Sequence, residues 1–114
     1  MAYKRGAIYL ANFNPSKGTE AGKIRPCLIM QCDLLNDAAH PSTTVLPLTT
    51  QLIDDAAPLR YRINAREQLK ADSDLMLDQT RTIDNRRIGK QLAALSQSEI
   101  IEIEIMWKIV LGLD

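Results

Sequence analysis

Residues 24–32, Ile-Arg-Pro-Cys-Leu-Ile-Met-Gln-Cys, form a continuous apolar run with a proline at its third position. Such a run reads as a strand buried on both faces after Pro26. Pro26 belongs at the start or edge of that strand, because it has no N–H to give to a ladder. The run before it, RGAIYLANF (5–13), alternates: Ile8, Leu10 and Asn12 fall on one side, Ala7, Tyr9, Ala11 and Phe13 on the other. Between the two lies NPSKGTEAGK (14–23), rich in turn formers and poor in apolar groups, which reads as a long loop. A third strand is expected at 43–49, interrupted by Pro47. LRYRI (59–63) alternates strictly and should keep one face wet. Residues 75–84 read as a strand that bends or breaks near Asp78–Thr80, and RIGKQLAAL supplies a last one. DLLNDAAHPS and NAREQLKADSD each read as a helical turn with a loop.

The C-terminal segment carries two signals. Ile100–Ile105 alternates in part like a strand, yet Ser96 and Glu99 have the spacing of a capping box, and Leu95 and Ile100 that of a hydrophobic staple. No turn signal interrupts 97–111, and Ile100, Ile103, Trp107, Val110 and Leu111 share a helical face. A helix is therefore expected from about 97 to 112, with Ile101, Ile105, Met106 and Ile109 left over for a further neighbour. With 114 residues the chain has room for one domain (1–114) and one core. The expected architecture is mainly β with a C-terminal helix: a small antiparallel barrel or strongly bent sheet that the helix closes.

The net charge is zero, which argues against a protein that coats nucleic acid through a globally basic surface. Its distribution is uneven. Residues 1–31 hold Lys4, Arg5, Lys17, Lys23 and Arg25 against Glu20, and residues 81–95 hold Arg81, Arg86, Arg87 and Lys90 against Asp84. The acids concentrate in 32–80 and in the tail. If the two basic segments meet, they form a local anion-binding patch; otherwise they belong to a mixed solvated surface. No signal peptide or membrane span is legible, and the cytoplasm is the natural compartment. Cys27 and Cys32, five apart in the apolar run, should face opposite ways and stay unpaired. His40, the single histidine, lies in a polar loop. It excludes a two-histidine ribonuclease mechanism within one chain, and with no CxxC or Cys/His cluster neither a metal site nor a cofactor is expected.

Three constellations could carry chemistry. Lys23-Ile24-Arg25-Pro26 places a guanidinium where the long loop enters the buried strand, suited either to a phosphate or to a nearby carboxylate such as Glu20. Pro47-Leu48-Thr49-Thr50 puts hydroxyls at a strand end, where Thr is also simply a good strand residue. Asp78-Gln79-Thr80-Arg81-Thr82-Ile83-Asp84 inserts polar groups into a strand-like run. They form either a site, with Asp78 as base and Arg81 as phosphate ligand, or an Asp–Arg network that fixes the turn.

Taken in order, Lys4-Arg5-Gly6, Ile8-Tyr9, Asn14-Pro15, Gly18-Thr19-Glu20-Ala21-Gly22-Lys23-Ile24-Arg25-Pro26, Pro47-Leu48-Thr49, Asp78-Gln79 and Arg81-Thr82-Ile83-Asp84 resemble the MazF/PemK family of toxins from bacterial toxin–antitoxin modules. The resemblance implies an SH3-like barrel that works as a homodimer. It implies a metal-independent endoribonuclease that cuts single-stranded RNA (mRNA) at short sequences, leaving a 2′,3′-cyclic phosphate and a 5′-hydroxyl. It also implies neutralisation by an antitoxin with an acidic, disordered tail that competes for the RNA groove. Carried over by position, Arg25 and Thr49 match catalytic residues, and Asp78 matches a proposed general base of the PemK branch. That branch also has an arginine and a histidine where this chain has Met76 and Thr19. Lys17, Glu20, Lys23, Gln79 and Arg81 fall at or beside positions that line the RNA groove. The alternatives are a CcdB-like gyrase poison acting through its C-terminal region, and a non-catalytic SH3-like binding module.

Overall fold

The computed structural model describes residues 3–15, 17–19 and 22–113. Seven strands are present: β1 (Ala7–Asn12), β2 (Ile24–Ile29), β3 (Ser42–Thr49), β4 (Arg60–Ile63), β5 (Ser73–Met76), β6 (Arg81–Asp84) and β7 (Ile88–Ala94), with helices α1 (Asp33–Asp37) and α2 (Gln97–Leu111). They form one bent antiparallel sheet in the order β4-β5-β3-β2-β1-β7, with β6 pairing β3 off that path. β4 and β7 end the path without pairing each other, so strand pairing does not close the barrel. The turn between β4 and β5 reaches across instead, and the Gln68 N–H donates to the Leu92 carbonyl (2.8 Å). That turn is a tight hairpin in which Arg66 and Leu69 exchange backbone hydrogen bonds, not the helical turn expected for NAREQLKADSD.

The alternation read in the first two strands is physically split across the sheet. Ile8, Leu28 and Met30 join a cluster with Leu46, Leu48, Ile63, Leu75, Leu77, Ile100 and Ile103, against which Leu10 packs. Ala7, Tyr9, Ala11, Phe13, Cys27 and Ile29 join a second cluster with Val45, Ile83 and Ile88. The single core expected from chain length is thus two, one on each face of β1 and β2, because a bent sheet can cover both sides of its own central strands. Cys27 lies in the second cluster, where burial pushes its thiol up to about 12. Cys32 lies beyond the end of β2, at the start of α1, and is exposed, so its separation from Cys27 reflects the strand's end and not an opposite face.

Both strand prolines sit where a donor is dispensable. Pro26 is paired with Leu10 of β1, one residue before the β2–β3 ladder starts at Cys27–Pro47. On β3, Ser42–Val45 pairs with β6 and Leu48–Thr49 with β5. Pro47 falls in the gap between those two ladders.

Helix α2 starts with the full capping box of Ser96 and Glu99 and ends at Gly112 in the left-handed conformation. Leu95 and Ile100 are both buried in the first cluster, as the staple requires. Ile103 faces inward, and Met106, Trp107 and Val110 pack against the same cluster, whereas Leu111 is exposed and leaves the expected face. Polar ties fix the helix to the sheet: Arg66 to Glu99 through two hydrogen bonds (2.6 and 2.8 Å), Tyr61 to Glu102 (3.0 Å), and Arg5 to Glu104 (2.8 Å). Gly6 lies under the helix with φ +89°, and a Cβ there would stand 2.3 Å from Ile100 Cδ1.

The Arg66 hydrogen bonds hold the Glu99 carboxyl down to about 2, against an ordinary 4.5. Because the folded value is depressed, the stabilisation is present above pH 4.5 and is lost as pH falls towards 2. Glu99→Gln should cost about 1–2 kcal/mol at pH 7. Urea denaturation across the acid range should show that the difference from the wild type closes near pH 2. A thiol reagent should modify Cys32 alone in the native protein and both cysteines after unfolding. Rapid modification of native Cys27 would contradict its burial.

Candidate active site

A cleft of about 740 Å³ opens where β2, the end of β3, the 51–58 segment and the turn after β5 converge. Arg25, Thr49 and Asp78, far apart in sequence, all line it, together with Lys23 and Gln79. The architecture explains the convergence. Between the β3–β5 and β3–β6 ladders, β3 spends only residues 46–47, whereas the partner chain spends 76–80. The surplus is expelled as a turn, and that turn carries Asp78 and Gln79. The Trp107 indole N–H of α2 donates to Thr80 Oγ1 (2.9 Å) and pins the turn from the helix side.

Arg25 is half-buried. Its Nε donates to the Gly22 carbonyl (2.7 Å) and one terminal nitrogen to the Leu48 carbonyl (3.4 Å), next to Thr49. Among the described residues no carboxylate pairs with it. The guanidinium is therefore oriented by neutral carbonyls and keeps its charge for something else. Burial lowers its pKa from the ordinary value, an unfavourable desolvation that an incoming anion would reverse. Thr49 Oγ1 accepts the Gln51 N–H (3.2 Å), which leaves the hydroxyl proton to donate. Asp78 is exposed, and its carboxylate makes no hydrogen bond or ion pair among the described residues, so the Asp–Arg turn network is not formed. Met76 lines the cleft as a buried thioether, and Thr19 lines it from the long loop.

The remaining groove residues divide. Lys23 and Gln79 line the cleft, and Gln79 Nε2 donates to the Thr19 carbonyl (3.3 Å), joining the long loop to the Asp78 turn. Lys23 has φ +70°; its N–H is held by Asn14 Oδ1 (2.8 Å) and its carbonyl by the Phe13 N–H (2.8 Å), a clamp that closes the loop base. Arg81 does not line the cleft; it donates to the Phe13 carbonyl (3.1 Å) and covers the Phe13 ring at 5.5 Å. Arg87 donates to the carbonyls of Asn12 and Asn14, so the two basic segments do meet, at the base of this loop. Lys17 is exposed and also lies off the lining. Glu20 lies outside the described residues.

Sequence reasoning missed the opposite wall, formed by Gln51, Ile53, Leu59 and Arg60. Its hub is Asp74, 1% exposed, which accepts from the Ile53 N–H (2.8 Å), Arg62 Nε (2.6 Å) and Arg60 (3.3 Å). Burial pushes the Asp74 carboxyl up, but the Arg62 and Ile53 hydrogen bonds and the arginine charges outweigh it and hold it below the ordinary range. The strict alternation of LRYRI placed Arg60 and Arg62 on one face, and that was the available signal.

The bent sheet with its capping helix thus carries an arginine–threonine cleft at the end of its shared strand. The family described as "PemK-like, MazF-like toxin of type II toxin-antitoxin system" matches residues 4–111, and the chain belongs to it. It is 35% identical over 112 residues to the endoribonuclease MazF of Staphylococcus epidermidis, covering 97% of this chain and 92% of that protein. Among solved structures it is similar in fold to MazF from Deinococcus radiodurans (TM-score 0.79, 23% identity, 98% of each chain). It is similar too to a mycobacterial endoribonuclease in complex with its cognate antitoxin (TM-score 0.74, 18% identity, 99% and 96% of the chains).

Proposed function

We propose that the chain, as one toxin domain over 1–114, is a metal-independent, sequence-specific endoribonuclease that cuts single-stranded RNA within this cleft. The observation that carries the reading is the pairing of Arg25 with the carbonyl beside Thr49, which leaves guanidinium and hydroxyl donors over for one phosphate. The nucleophile is the RNA's own 2′-hydroxyl. It attacks the adjacent phosphorus, and the bond to the 5′-oxygen of the next nucleotide breaks, giving a 2′,3′-cyclic phosphate and a 5′-hydroxyl. DNA lacks that hydroxyl and is not a substrate. No metal is needed to make the nucleophile.

In this reading Arg25 stabilises the charge that develops on the pentacoordinate phosphorus, in a partly desolvated setting where such contacts are strong. Thr49 donates to a non-bridging oxygen. Asp78 takes the proton of the 2′-hydroxyl. Met76 has no proton to give and Thr19 is a weak acid, so the departing 5′-oxygen takes its proton from water in the open cleft. Lys23 and Gln79 contact the strand inside the cleft, and Lys17 and Arg81 act from outside the lining. Glu20 keeps the groove role that its position in the motif suggests.

The same reading gives the toxin a cytoplasmic setting with mRNA as substrate, a homodimeric state, and a cognate antitoxin whose acidic, disordered tail competes for the basic groove. The outer stripe of α2 supports a second copy: Ile101, Ile105 and Ile109, four residues apart, are 47%, 57% and 48% exposed.

Incubation with a long mixed RNA should yield discrete fragments with cyclic-phosphate ends, undiminished by EDTA. Intact RNA at high protein concentration would sink the reading and favour a CcdB-like poison or a binding module. Arg25→Ala should lower kcat/KM by about 10²–10³-fold, or roughly 3–4 kcal/mol of transition-state stabilisation. A loss under tenfold would count against the assigned role. Expression of Arg25→Ala or Thr49→Ala should no longer arrest growth.

A further inference from the structure

Arg60 and Arg62 leave β4 on the same face and share Asp74, yet they are used differently. Arg62 is neutralised on two sides, with Nε on Asp74 (2.6 Å) and a terminal nitrogen on Asp54 (2.9 Å). Arg60 commits only one terminal nitrogen, to the Gln51 carbonyl (3.1 Å) and to Asp74 (3.3 Å). Its side chain is only 19% exposed, and it lines the same cleft as Arg25. Three of its five N–H donors, on Nε and the other terminal nitrogen, have no acceptor among the described residues. An arginine immobilised this far, with more than half of its fork unspent, is pre-organised for an anion outside the protein.

We infer that Arg60 is a second phosphate-gripping residue of the cleft, and that buried Asp74 is the positioning residue that aims it. The inference rests on the RNA-cleaving reading given above. The two guanidinium groups are tethered at different points. Arg25 rests on the Leu48 carbonyl and Arg60 on that of Gln51, three residues further along. Their parent strands, β2 and β4, are separated in the sheet by β3 and β5. Each head is tethered to its own carbonyl, which assigns Arg60 to a phosphate other than the scissile one. Its contact is made equally before and during reaction, which assigns it to binding and not to the chemical step. Asp74 also fixes the Ile53 N–H, so one carboxylate sets both the cation and the segment that walls the cleft.

The test uses the full-length protein and an RNA oligonucleotide of the mapped cleavage sequence, made uncleavable by a 2′-O-methyl group at the scissile nucleotide. Arg60→Gln should raise Kd for this probe and KM for the cleavable RNA about tenfold at low salt, with kcat within twofold of wild type. The slope of log Kd against log salt should fall by about 0.7, one phosphate contact on a single strand. Arg60→Lys, which keeps a cation, should restore most of the affinity and the wild-type slope. Asp74→Asn should weaken binding several-fold, and adding Arg60→Gln to it should cost less than in the wild type. If the wild type cuts RNA while Arg60→Gln keeps its Kd and salt slope, this assignment is overturned and the nuclease reading stands. A weakened Kd with an unchanged slope would equally overturn it, as a purely structural effect. If the wild type leaves RNA intact, the nuclease reading itself has failed.

Discussion

The structure turns on a missing hydrogen-bond donor in the middle of its most shared strand. β3 pairs with β2 along one flank and with β6 and then β5 along the other, and Pro47 stands where the second flank changes partner. A residue with an N–H at that point could have continued one ladder; proline cannot. The partner chain leaves the sheet there and returns, and its excursion is the turn that carries Asp78 and Gln79. Two residues later β3 ends at Thr49. The break in pairing thus supplies both the edge and one wall of the cleft.

The cleft's cations follow a common rule. Arg25 is fixed by backbone carbonyls and Arg60 by one carbonyl and the Asp74 carboxylate, each in a partly buried position with donors left over. Arg62, Arg66 and Arg86 are instead consumed by carboxylates. Arg81 spends hydrogen bonding and its ring contact on the base of the long loop. The chain's zero net charge is compatible with an anion-binding cleft for this reason: what matters locally is which arginines keep N–H donors unspent in the cleft. Helix α2 contributes at a distance, through the Trp107–Thr80 hydrogen bond that holds the Asp78 turn.

Much of this was legible in the sequence. The alternation of Ala7–Phe13 sorted its side chains onto the two faces correctly, because a strand's period of two leaves no other choice once both faces are apolar. Ser96 and Glu99 located the start of α2, since a capping box is a local interaction that needs nothing from the rest of the fold. The break near Asp78–Thr80 was visible as polar residues in a strand-like run. The turn at 66–69 was misread as helical because its backbone is set by the Gln68–Leu92 hydrogen bond to a strand more than twenty residues away. Leu111 followed the helical period but is the last residue of α2 and is exposed.

What the sequence determined alone is everything set by local periodicity and backbone chemistry: the strands, the capped helix, the places where proline forbids a ladder, and the ordered motifs of the PemK-like, MazF-like family. What only the tertiary structure decided is which charges are spent and which are left. Arg60, Arg62 and Arg81 are indistinguishable by residue type, and their roles depend on long-range register: Arg62 lies opposite Asp74, and Arg81 reaches Phe13. The same holds for the two-sided core, because a chain of 114 residues can fill both faces of β1 and β2 only by bending one sheet around them.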